Sequence, residues 1–227
     1  MEKFYAFRKM VVLELAKIKL WNVGRYATEM ENTNTFKLEE LSRDVDEAEK
    51  SLTEEEKEMY WEYKIEEFEE VEKIFPSFLR YSVVVLIYSI IEEALLGIVK
   101  PHIVNSLGDK KESELNRLAK NKVLKYKGDN FLDKLGNYME QEMGIEFPFD
   151  SKEWIFVMDL NTIRNNIVHC NGKVKDDKDP ENIQNVLDSY NAITVSSHGE
   201  MILAREFITY MIEQIQALFS ELIKTNK

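Results

Sequence analysis

The sequence predicts an all-α fold, and three observations carry that reading. Apolar residues recur at three- and four-residue spacing along most of the 227-residue chain. Glycine and proline are scarce, at eight and four, whereas a β-sandwich or barrel needs many turns. One short stretch, residues 192–203, reads as a strand pair about a polar turn. The length is ample for a substantial core.

Residues 2–31 read as a first helix, with Phe4, Phe7, Val11, Leu15, Ile18 and Val23 near helical spacing. Asn32-Thr33-Asn34-Thr35 reads as a polar break and N-cap region, ahead of a short acidic helix over 38–49. Thr53 and Glu56 form a capping box. The helix it starts carries Tyr60, Tyr63, Glu67 and Val71 on one face and ends near Phe75-Pro76. Residues 82–104 are apolar nearly all round, as a central bundle helix should be. A basic helix over 110–126 follows, then one over 130–143 with Phe131, Leu135, Tyr138 and Met139 together. Residues 144–150 form a loop containing Phe147-Pro148-Phe149, and Ser151 precedes a helix that ends before Gly172. A polar loop over 170–180 leads to a short helix over 180–187. The hairpin turns at 196–199, and an amphipathic helix over 205–224 closes the chain. The expected organisation is an acidic helical extension, residues 1–76, and an up-and-down helical bundle, residues 77–227.

Cys170 is the single cysteine, which excludes an internal disulfide framework and points to a reducing compartment. The first 19 residues interleave charged and apolar side chains and show no secretory signal. Residues 82–100 are the most hydrophobic, but Glu92 and Glu93 interrupt their middle. Each would cost about 2.5–3.5 kcal/mol at a bilayer centre, so a buried core helix is expected, in a soluble, cytoplasmic protein with no membrane partner. The net charge of −12 is concentrated: residues 36–75 hold sixteen acidic and six basic side chains, leaving −2 elsewhere. Residues 100–134 run the other way, with nine basic against five acidic, so the acidic total does not exclude nucleic acid. Lys110, Lys111, Arg117, Lys120, Lys122, Lys125 and Lys127 form a basic stretch that could follow an RNA backbone, with Lys120, Lys122 and Lys125 foremost. Its alternative is a solvated helix face.

The chemistry-bearing segment is Arg164-Asn165-Asn166-Ile167-Val168-His169. Phe156, Leu160, Ile163 and Ile167 recur at core spacing, so Arg164 borders the buried face and Asn165 lies away from it. His169 follows Asn165 by four residues, on the same side and one turn on, where the carboxamide can orient the imidazole. Arg164 and His169, five apart, do not share an ideal face. These residue types suit RNA cleavage through the 2′-hydroxyl: histidine moves a proton near neutral pH. Arginine offers a permanently charged fork for phosphate oxygens. No metal ligand set and no glycine-rich phosphate loop is present in the sequence, so neither metal nor cofactor is expected. His102 and His198 read as plain surface or turn residues, and Cys170 as a small neutral one.

Arginine, a polar residue, three more residues and histidine form a pattern that Arg164, Asn165 and His169 fill, and it resembles the signature of the HEPN (higher eukaryotes and prokaryotes nucleotide-binding) family. The apolar helix over 81–99 with its internal glutamate, and the hairpin-then-helix ending over 191–222, resemble the same family. The likeness spans residues 77–225 and leaves the first 75 unmatched. It implies an all-α bundle that dimerises and brings two motifs into one cleft. For active members it implies metal-independent endoribonuclease activity on RNA in toxin–antitoxin, phage-defence or RNA-processing systems, with an inhibitor or antitoxin as a further partner. His169 would then act as general acid or base, Arg164 would hold the scissile phosphate, and Asn165 would position them. Glu92, or Glu93 beside it, is expected to pair with Arg164 or His169, because a carboxylate in an apolar helix needs a partner. Asn171 stands where members that work with a small nucleotidyltransferase carry tyrosine, which speaks against that subtype. The competing reading is a non-catalytic interaction or nucleotide-contacting module, whose acidic helices dock a basic partner.

Overall fold

The structure, a computed structural model, describes residues 2–104 and 112–225. The side chain of Phe4, and Lys110 and Lys111, lie outside the described residues. Elements run in the order α1 (Glu2–Glu49), α2 (Glu54–Glu69), a π turn (Glu70–Ile74), α3 (Phe75–Val104), α4 (Glu112–Val123) and α5 (Phe131–Met143). Then come α6 (Lys152–Cys170), a 3-10 turn (Val174–Asp176), α7 (Pro180–Asp188), β1 (Ile193–Val195), β2 (Met201–Leu203) and α8 (Arg205–Lys224). The all-α class, with one antiparallel hairpin before the last helix, is the one the sequence predicts.

The chain forms two compact units, each assembled from separated segments. One comprises Met1–Asn22, Leu86–Thr162 and Tyr210–Lys227; the other comprises Val23–Val85 and Ile163–Thr209. The expected boundary at residue 76 is not among their boundaries: it falls inside the continuous helical run Glu54–Val104, which the units divide between Val85 and Leu86. Among the described residues this run is the one long and apolar enough to cross a membrane, and just over half of its most apolar window is buried in the protein.

In the first unit the buried face of α1 is only partly traced by those spaced apolar residues. Lys9, Leu13, Ala16 and Leu20 are buried there, and the line continues in the second unit as Val23 and Ala27. Phe7, Leu15 and Ile18 are exposed. Two apolar lines run along this helix, and spacing alone does not choose between them. The buried one contains a lysine, which is what hid it. Lys9 is 2% exposed and donates from Nζ to the Leu222 carbonyl in the last turn of α8, where a cation is favoured by the helix dipole. Elsewhere in this unit, Trp154 packs edge to face on Phe147 and Phe149, whose two rings are tilted against each other beside Gly136. A Cβ on Gly136 would come within 2.8–2.9 Å of the two phenylalanine rings. His102 is not a plain surface residue: its Nδ1 lies 2.8 Å from the hydroxyl of the fully buried Tyr138.

In the second unit α1 runs through Asn32–Thr35 without a break. The hydroxyls of Thr33 and Thr35 donate back to the carbonyls of Glu29 and Glu31, at 2.8 and 3.0 Å, so they continue the helix and do not cap a new one. Tertiary bonds hold the same turn. Arg205 donates to Asn32 Oδ1 at 2.7 Å, and buried Glu31 receives both Nε and Nη2 of Arg80 at 2.6 and 2.9 Å. Arg80 Nη1 also donates to the Leu203 carbonyl of β2 at 2.7 Å. α2 begins at the expected capping box but does not stop at Phe75-Pro76. A π turn, in which Phe75 N–H reaches back to the Glu70 carbonyl, carries it into α3 with Pro76 buried. The wider turn accommodates a residue that lacks a donor and crowds the preceding turn.

Burial lowers the Lys9 ammonium from 10.5 to about 8. Below about pH 8 the folded and unfolded chains both hold this proton; between there and 10.5 only the unfolded chain keeps it. Stability should therefore rise with pH across that window. Denaturant titrations at stepped pH should show that rise in the wild type and its absence in Lys9→Met; parallel profiles would exclude this role.

Candidate active site

α6 delivers the motif, and its start is fixed by the Ser151 hydroxyl, which accepts from the Trp154 N–H at 3.1 Å. Phe156, Leu160, Ile163 and Ile167 are all buried, as their spacing predicts. That phase leaves Arg164 and Asn165 half-buried on the flank and His169 exposed in the last turn. Arg164 Nη1 donates to Asn165 Oδ1 at 2.9 Å. The carboxamide oxygen expected to orient the imidazole is thus engaged by the guanidinium. Sequence neighbours do not face each other on a helix, but the long arginine arm folds back far enough to make this charge-assisted bond.

The residue that organises the helix end is Asn166, which sequence reasoning quoted but gave no role. It is fully buried. Its Nδ2 donates to Asp177 Oδ2 at 2.8 Å and to the Lys173 carbonyl at 3.3 Å, holding the following loop against the helix. The signal was available: on an ideal wheel Asn166 borders the Ile163–Ile167 face on the side opposite Arg164, whereas Asn165 points away.

The loop expected as merely polar is built into the fold. Val174 is buried; its N–H donates to the Gly199 carbonyl at 2.9 Å, and Met201 N–H donates to the Gly172 carbonyl at 2.8 Å. α6 ends through two left-handed residues, Asn171 (φ 52°) and Gly172 (φ 79°). Gly172 is required twice over, because an added Cβ would overlap the Tyr81 hydroxyl, which itself donates to the Met201 carbonyl. Desolvation pushes the Tyr81 phenol up. Cys170, beside His169, donates to the Asp176 carbonyl at 3.3 Å. Its thiol is pushed up by burial and then by Asp177 and Asp176, so it is a neutral neighbour and not a thiolate nucleophile.

Arg164, Asn165 and His169 belong to the second unit; the other candidates belong to the first. Glu93 is exposed and its partner is Lys19 of α1, at 2.7 Å. Glu92 is half-buried and lines a cavity of about 670 Å³ together with apolar residues of α1 and α3 and with Lys120 and Phe131. Lys120 Nζ lies 5.9 Å from the Phe131 ring centroid and Lys122 Nζ 5.8 Å from that of Tyr138, each within cation–π range. Lys125 is exposed beyond the end of α4. His198 is exposed in the hairpin turn.

Gly172→Ala should lower stability by at least about 1–2 kcal/mol, from the left-handed backbone alone and more from the displaced tyrosine. Asn171→Gly should change it by less than about 1 kcal/mol, since glycine relaxes the adjacent left-handed position. Urea midpoints of both variants check this, and equal values would mean that the Tyr81 ring does not constrain the helix end. No protein-family model matches the chain, and no significant match is found to a curated protein or a solved structure.

Proposed function

We propose that this protein is a metal-independent endoribonuclease of HEPN type that acts as a homodimer. The observation that supports the reading best is the linked Arg164–Asn165 pair, half-buried beside a solvent-exposed His169 on a firmly held helix end. A guanidinium held by a neutral carboxamide keeps its full charge and a restricted orientation, which suits a phosphate passing through a pentacoordinate transition state. An exposed imidazole on a rigid support suits proton transfer near neutral pH.

In the reaction the RNA 2′-hydroxyl attacks the adjacent phosphorus and the bond to the 5′-oxygen breaks. The products are a 2′,3′-cyclic phosphate and a free 5′-hydroxyl. One proton leaves the 2′-oxygen and one arrives at the 5′-oxygen. His169 carries out one of these transfers, Arg164 holds the non-bridging oxygens, and Asn165 positions Arg164. Because Arg164 and His169 are five residues apart on α6, a cleft formed by two copies offers a second motif to complete the set.

The test is cleavage of a mixed RNA pool in EDTA by folded wild type and folded His169→Ala. The expected result is cyclic-phosphate ends from the wild type and a loss of roughly a hundredfold or more in the variant. No cutting by either would favour a non-catalytic module, and equal cutting by both would remove the motif from the site.

A further inference from the structure

The cavity that Glu92 lines belongs wholly to the first unit: every residue of its wall lies on α1, α3, α4 or α5 within that unit. The two long helices bring small side chains to it. Ala16 and Ala94 are in the wall, and so is Gly97, where an added Cβ would come within 3.3 Å of the Val12 side chain. Leu15, Ile90 and Leu96 extend the apolar surface. The volume, about 670 Å³, falls in the range of small-molecule sites, about 300–1,000 Å³.

The charged side chains of this wall do not cancel one another. Lys19 is engaged by Glu93, at 2.8 and 2.7 Å to its two carboxylate oxygens. Half-buried Glu92 meets no cation within ion-pair distance among the described residues, and Lys120 meets no carboxylate. Lys100 is a second cation of the wall, about 12 Å along α3 from Glu92. A partly buried carboxylate is best answered by a hydrogen-bonding cation, and a lysine by an anion. A guest carrying only positive charge would be repelled by Lys100 and Lys120, and one carrying only negative charge by Glu92. A guest with an apolar body and one charge of each sign satisfies the whole wall.

We propose that this cavity binds a small zwitterion with an apolar body, its ammonium on Glu92 and its carboxylate on Lys100 and Lys120. The apolar wall supplies the burial, and the separated charges set orientation and select against singly charged analogues.

The probe is ω-aminooctanoate, titrated into the full chain by isothermal calorimetry beside octylammonium and octanoate. The zwitterion should bind about tenfold more tightly than either analogue. Glu92→Gln should erase its advantage over octanoate. Lys100→Gln with Lys120→Gln should erase its advantage over octylammonium. Leu15→Ser, at a position 55% exposed, should weaken all three ligands with unchanged helicity. The wild-type series needs no substitution to decide: absent binding of the zwitterion, or an analogue that binds as tightly, would overturn the proposal. So would a Glu92→Gln variant of wild-type helicity that keeps the full preference for the zwitterion over octanoate.

Discussion

The second unit depends on one guanidinium. Arg80 gives two donors to the buried carboxylate of Glu31 and a third to the Leu203 carbonyl, so a single side chain of α3 ties α1 to β2. Charges inside a protein are tolerated when paired and hydrogen-bonded; stranding one partner of such a pair costs about 3–5 kcal/mol. Tyr81, the next residue, bonds to the Met201 carbonyl and lies over Gly172. Arg80-Tyr81 thereby clasps the hairpin from one side and the end of the motif helix from the other. The exposed His169 stands on a helix terminus whose backbone is fixed by this clasp and by Asn166. That combination of a held main chain and a free imidazole is what a proton-transfer site asks of its scaffold.

Much of the fold was legible because the later elements are locally self-consistent. α5 has its Asn130 cap, α7 its Asp179 cap and Pro180, and α6 its uninterrupted apolar phase. The errors lie where tertiary bonds overrule local chemistry. Asn32 through Thr35 carry the composition of a break, yet Arg205 and the Glu31–Arg80 pair hold that turn helical. On α1 the buried line passes through Lys9, and a reading that seeks apolar repeats passes over a lysine whose ammonium completes the end of another helix.

At the candidate site the sequence supplied the residue types and the core phase, but not their pairing. Whether Asn165 meets His169 or Arg164 turns on side-chain reach, which spacing does not encode. Asn165 and Asn166 are chemically identical and adjacent. A single step around the helix makes one a flank residue beside arginine and the other a buried strut for the loop. Electrostatics follows the same local logic: Cys170 lies beside two aspartates and stays a thiol, despite sitting next to an imidazole.

The π turn at Glu70–Ile74 has a consequence for how α2 could have arisen. Such a turn holds one residue more than the α-helical turn it replaces, and one residue is worth about 100° of azimuth. The turn therefore takes up one residue that in an uninterrupted α-helix would shift the phase of α2 against α3. A single-codon deletion within it would leave an ordinary α-helical turn, with the glutamates of α2 at nearly the same azimuth and α3 still in register with Arg80, Tyr81 and the hairpin. A change of one residue in the length of this helical run can thus be absorbed at the turn without rotating either the acidic face or the motif scaffold.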